Sequence, residues 1–97
     1  MIRHTVLLTF VEGTDDDTIT GIVDSLSRLP DLVPSIRAYI VRRDLSLAGD
    51  NADLVVHGDF DDIEGYVAYR DHPEHRAIIE QQILPDLATR AAVQIEL

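Results

Sequence analysis

The densest chemistry in this sequence lies between Tyr66 and Arg76. It reads Tyr-Val-Ala-Tyr-Arg-Asp-His-Pro-Glu-His-Arg and holds two of the three tyrosines and two of the four histidines. A neutral imidazole can take a proton alpha to a carbonyl, and a phenol can donate to the oxygen that becomes negative as it does so. Tyr69 and His75 are the candidate catalytic pair for such enolate chemistry. Pro73 disfavours helix at His72 and suits the first turn of a new one, so a helix ends near Arg70 and another starts at Pro73. His75, Ile78, Ile79, Gln82 and Ile83 then share one stripe, which predicts that His75 points inward. An apolar wall and the positive end of a helix dipole both disfavour imidazolium and poise it as a general base. The competing reading makes Tyr69 and His75 core or cap residues with satisfied hydrogen bonds.

Around this pair, His4 lies on the apolar face of the first strand with Ile2, Val6, Leu8 and Phe10, and Leu54 shares the parity of Phe60. If a pocket lies between sheet and helices, His4, Leu54, Tyr66 and His72 are its candidate substrate-lining residues. Pro73 separates the imidazoles of His72 and His75 and no carboxylate is fixed beside them, which argues against a metal site formed with His4. Asp59, Asp61, Asp62 and Glu64 lack the glycine and ligand spacing of a calcium loop and read as solvated surface. Arg70 and Arg76 could clamp an anionic substrate, with salt bridges to Asp71, Glu74 or Glu80 as the default. No glycine-rich phosphate loop, nucleophile elbow or dinucleotide fingerprint occurs, so no cofactor is expected.

The formal charge of −10, from eight basic and eighteen acidic residues, argues against nucleic acid and anionic membrane surfaces as partners. No apolar run approaches the about 18 residues of a membrane span, and no signal or lipidation motif is visible, so the chain reads as cytoplasmic. With no cysteine there is no disulfide and no thiolate nucleophile. Residues 1–97, 45% hydrophobic, suit a single domain. At this size only about 60 to 65% of the unfolded surface is buried, and a second copy would help.

The elements that must position the site follow from periodicity. Ile2 to Phe10 alternates as a strand, Thr14 is a candidate N-cap, and Ile19, Ile22, Val23 and Leu26 mark a helix that leaves through a loop bracketed by Pro30 and Pro34. Ser35 to Asp44 reads as a second strand, with Ile36, Ala38 and Ile40 opposing Arg37, Tyr39, Val41 and Arg43. Asp53 to Phe60 is a third strand. Asp61 and Glu64 are spaced as a capping box for a short helix whose inward side is Ile63, Tyr66 and Val67, with Tyr69 at its edge. Pro85 breaks the Pro73 helix, and Arg90 to Glu96 is the last strand, with Ala91, Val93 and Ile95 on one face. Strand, helix, two strands, helices, strand is the order of an α+β, ferredoxin-like βαββαβ protomer: a four-stranded antiparallel sheet with helices on one face. Leu7, Tyr39, Val41 and Val55 then fall on the uncovered face, which predicts a homodimer formed sheet to sheet.

In its opening Ile2-Arg3-His4-Thr5-Val6-Leu7-Leu8-Thr9-Phe10 and in Tyr69 through His72-Pro73-Glu74-His75, the chain resembles the stress-responsive dimeric α/β-barrel (Dabb) family. The resemblance spans nearly the whole chain and implies a homodimer whose sheets pack face to face. Through the family's plant olivetolic acid cyclase it implies cofactor-free aldol chemistry, with Tyr69 orienting a carbonyl, His75 as the catalytic histidine, and His4 and His72 nearby. The sequence departs from that enzyme at Leu54, where the cyclase carries a histidine. Three readings follow: a cofactor-free, polyketide cyclase-like enzyme acting on a small hydrophobic or carbonyl-containing ligand, a non-catalytic stress-response or ligand-binding dimer, and, more weakly, a cofactorless oxygenase.

Overall fold

A computed structural model describes all residues from Met1 to Leu97. The chain runs β1 (Ile2–Phe10), α1 (Asp16–Ser27), α2 (Leu29–Leu32), β2 (Ala38–Arg43), β3 (Leu54–Phe60), α3 (Ile63–Arg70), α4 (Pro73–Ile78) and β4 (Leu87–Glu96). Between α4 and β4 the helix widens into a π turn, Ile79–Ile83, and tightens into a 3-10 turn, Leu84–Asp86. The strands form one antiparallel sheet in the order β2-β3-β1-β4. This is the ferredoxin-like βαββαβ protomer, with all helices on one face.

Strand register decides which side chains meet, because directly opposed residues share a face. Val6 of β1 faces Val56 of β3, which faces Val41 of β2; His4 faces Gly58, which faces Tyr39. These rows lie under the helices. Val41 is only 1% exposed, and Tyr39 packs against the core. The expectation that Tyr39 and Val41 lie on the uncovered face is therefore corrected: Ala38 and Ile40 lie there instead. The cause is local. Pro34 and Ser35 form a turn and Arg37 a bend, so the two-residue alternation starts only at Ala38, and counting parity from the buried Ile36 inverts the strand.

Cap assignments also move by one residue. Asp15, not Thr14, caps α1 by accepting from the Thr18 amide at 2.8 Å, while the Thr14 hydroxyl donates to the Val11 carbonyl at 2.7 Å. Asp62, not Asp61, caps α3 by accepting from the Gly65 amide at 2.8 Å. Asp61 is instead paired with Arg37 at 2.9 Å. Starting α3 later rotates its inward stripe: Ile63 is 68% exposed, and Tyr69 is 1% exposed rather than at the edge. Pro30 sits within the short helical turn α2, where its missing N–H costs nothing, rather than in a bare loop. β4 begins at Leu87, three residues before Arg90.

The uncovered face carries Leu7, Ile40, Val55, Val93 and Ile95 between two polar links. Arg3 donates to both carboxylate oxygens of Asp59 at 2.8 and 2.9 Å, and Thr5 Oγ1 lies 2.8 Å from His57 Nδ1. No helix is long and apolar enough to cross a membrane.

Candidate functional site

A cavity of about 260 Å³ opens between the sheet and the helices. Its floor is β1 and β3 through His4, Val6, Leu8 and Val56, and its walls come from α3, α4 and the π turn. Each reactive side chain reaches it for a local reason. Alternation along β1 turns His4 to the covered face, and the i, i+3 spacing of Tyr66 and Tyr69 sets both on the inner side of α3. The chain break at Pro73 then brings α4 back so that His75 lies against Tyr69, with ring centroids 4.2 Å apart and planes inclined by 33°.

Hydrogen bonds fix the state of each group. His75 Nδ1 lies 3.0 Å from the Arg70 carbonyl, the unpaired C-terminal end of α3. A carbonyl only accepts, so Nδ1 carries the proton and Nε2 keeps its lone pair. Burial lowers the His75 pKa against the raising effect of that carbonyl, with the charges of Arg76 and Arg90 adding to the fall. Tyr69 Oη is 2.7 Å from Tyr39 Oη. Either hydroxyl can be the donor; when Tyr39 donates, the Tyr69 proton is left to the cavity. Burial pushes Tyr69 up to about 12, and Tyr39 is raised chiefly by its own burial. His4 Nδ1 accepts from the Gln94 amide at 2.8 Å, and burial, with the charges of Arg90 and His75, lowers its pKa to about 4. Both cavity imidazoles are neutral near pH 7, while the phenol remains protonated.

Of the residues singled out by sequence, His4, Tyr66, Tyr69 and His75 line this cavity together. Leu54 and His72 do not. Leu54 is packed in the core at the far end of β3, opposite Leu8, and borders a separate cleft with Leu7 and Leu45. His72 caps α4, its Nδ1 accepting from the Glu74 amide at 3.1 Å, because the residue before a proline is held extended. Arg70 and Arg76 reach the wall while pairing with Asp71 at 2.8 Å and Glu80 at 3.4 Å. No three His, Asp or Glu side chains converge on a point that could hold a metal ion. Sequence reasoning missed Tyr39, through its inverted strand parity, and Arg90, whose position opposite to Ala91, Val93 and Ile95 in β4 already set it on the covered face.

The family pattern of the Stress responsive A/B Barrel Domain matches residues 2–97. This chain belongs to that family. A dimeric ferredoxin-like protein of unknown function from Thermobifida fusca YX is 40% identical to this A/B barrel domain and superposes with a TM-score of 0.90 over 99% of this chain and 90% of its own. A dimeric protein of unknown function from Bacteroides fragilis is 21% identical, with a TM-score of 0.88 over 99% of this chain and 95% of its own. The hydroxynitrile lyase of Passiflora edulis shares the fold at 13% identity and a TM-score of 0.83, over 97% and 90% of the two chains. No curated protein matches the sequence.

Proposed function

We propose that this A/B barrel domain is a homodimeric small-molecule-binding protein that performs cofactor-free, aldol-type enolate chemistry with Tyr69 and His75, in the manner of a polyketide cyclase. The observation that carries the reading is the pairing of a protonated phenol with an imidazole whose Nε2 is free and neutral, in contact within one mostly apolar cavity. A carbonyl oxygen at Tyr69 Oη and the adjacent carbon at His75 Nε2 complete the chemistry. The C–H proton passes to Nε2 and the electron pair moves onto the oxygen, which the Tyr69 O–H stabilises as charge develops. The enolate carbon then attacks a second carbonyl of the same molecule, and the new alkoxide recovers the proton from His75. A hydrogen bond donated by Tyr39 to Tyr69 Oη would strengthen that donor. The homodimer rests on the apolar side chains of the open sheet face and on the dimeric relative from Thermobifida fusca.

Screening the purified protein, with chelator present, against linear polyketide thioesters and simple ketones, and following deuterium exchange alpha to the carbonyl, tests the reading. Replacing His75 by Ala is expected to cost about 10² to 10⁴ in rate, and Tyr69→Phe to lower turnover with the fold intact. Exchange unaffected by His75→Ala refutes the role given to His75. Ligand binding without any exchange makes the protein a binder.

A further inference from the structure

The cavity's polar lining has one sign. Apart from its tyrosines, every polar residue on it is a histidine or an arginine: His4, Arg70, His75, Arg76 and Arg90, with no carboxylate and no side-chain amide. This is unusual in a chain whose eighteen acidic residues outnumber its eight basic ones. All eight are arginines, and seven are engaged: five in ion pairs with carboxylates, Arg28 with Ser25 Oγ and Arg42 with the Val41 carbonyl. Arg90 alone has neither a salt bridge nor a hydrogen bond from its guanidinium. Nothing in the packing of β4 requires it, because the position is exposed. It nevertheless lines the same cavity as His4, Tyr69 and His75. A guanidinium left without an acceptor at the wall of an apolar cavity is free to pair with a planar anion, and no carboxylate on that wall balances a cation.

We propose that the cavity selects an anionic substrate, a compact carboxylate-bearing carbonyl compound whose carboxylate is held by Arg90, with Arg76 supplying a second guanidinium on the wall. The proposal rests on the enolate reading for the carbonyl end alone. Arg90 neutralises a charge that would otherwise oppose formation of a second negative charge at the enolate oxygen, so its effect extends from binding to the ease of proton removal. The transfer itself is unchanged: the C–H proton goes to His75 Nε2, its electron pair to the oxygen at Tyr69, and no oxidant or reductant takes part.

The probe pair is 4-oxopentanoate and its methyl ester, which differ in charge and share the ketone. Binding is read from the His4 and His75 ring resonances of the intact protein, and chemistry from deuterium exchange next to the ketone. The acid is expected to bind at least about tenfold more tightly than the ester at low salt, and the preference should shrink as salt is raised. Arg90→Gln should abolish the preference and Arg90→Lys should retain part of it. Equal binding of acid and ester, absence of any shift with the acid at millimolar concentration, or a preference intact in Arg90→Gln overturns the proposal. Inorganic phosphate binding more tightly than the acid overturns the carboxylate assignment. Selective binding of the acid without exchange upholds the anion site and refutes the catalytic reading, whereas equal exchange on acid and ester does the reverse.

Discussion

Substituting His4 by Gln should flatten the acid limb of this protein's stability. Burial in the cavity floor, aided by the charges of Arg90 and His75, lowers the His4 pKa from 6.5 to about 4. As pH falls, the unfolded chain therefore binds a proton at this residue before the folded one does, and stability declines. The contribution of neutral His4 is complete above the unfolded value, is lost between about pH 6.5 and 4, and declines no further once both states are protonated. At about 1.4 kcal/mol per pKa unit the full difference is at most about 3 kcal/mol. The cavity opens to water, which screens part of it, and about 2 kcal/mol is the expected share. That is a sizeable fraction of the about 5–15 kcal/mol that holds a typical domain folded. Urea denaturation at pH 7.5 and 4.5 measures it, as a midpoint that falls about 1 M further in the parent than in His4→Gln. The interval stays above the titration of Asp59, whose carboxyl is held below the ordinary range by its hydrogen bonds from Arg3. Glutamine can still accept from the Gln94 amide, so the substitution removes the titration while keeping the partner. A His4 ring that titrates near 6.5, or a variant that loses as much stability as the parent over this interval, refutes the argument.

Three further outcomes follow from particular contacts. Turnover should rise through a histidine pKa below its ordinary value and stay level into the alkaline range, because burial moves His75 down and Tyr69 up to about 12; a pH–rate profile with a plateau narrower than two pH units contradicts that assignment. Ile40→Asp, at a position 47% exposed on the open face, should weaken self-association in sedimentation, whereas Val41→Asp should unfold the chain and Asp17→Lys should do neither. Gly58→Ala should lower stability by about 1–3 kcal/mol in thermal denaturation, since a Cβ there would lie 3.2 Å from the Phe60 ring and 3.3 Å from the Tyr39 ring, both backed by core residues.

Periodicity carries most of this fold because it reports which face of an element is buried. The alternation of Ile2 to Phe10, the stripe from His75 to Ile83 and the alternation ending at Ile95 are each regular over several residues, and the order of elements then leaves one sheet arrangement. The meeting of Pro73 with the preceding histidine marked the helix break that folds His75 back toward Tyr69. Pairing, however, is a property of two segments at once. Whether Tyr39 or Ile40 faces the helices depends on its register against Gly58 and His57, and both parities of β2 carry apolar residues, so the strand's own sequence is compatible with either. The cap positions of Asp15 and Asp62 turned on a single residue in runs of adjacent acids that all have the right chemistry. Leu54 and His72 had the right type and parity for a pocket, yet distance along β3 and the capping of α4 took them away from it. Periodicity gives the four strands, the longer helices, their order and the inward turn of His4 and His75. That Tyr39 meets Tyr69 and that Arg90 is left unpaired at the cavity emerges on folding, because both depend on contacts between residues far apart in the chain.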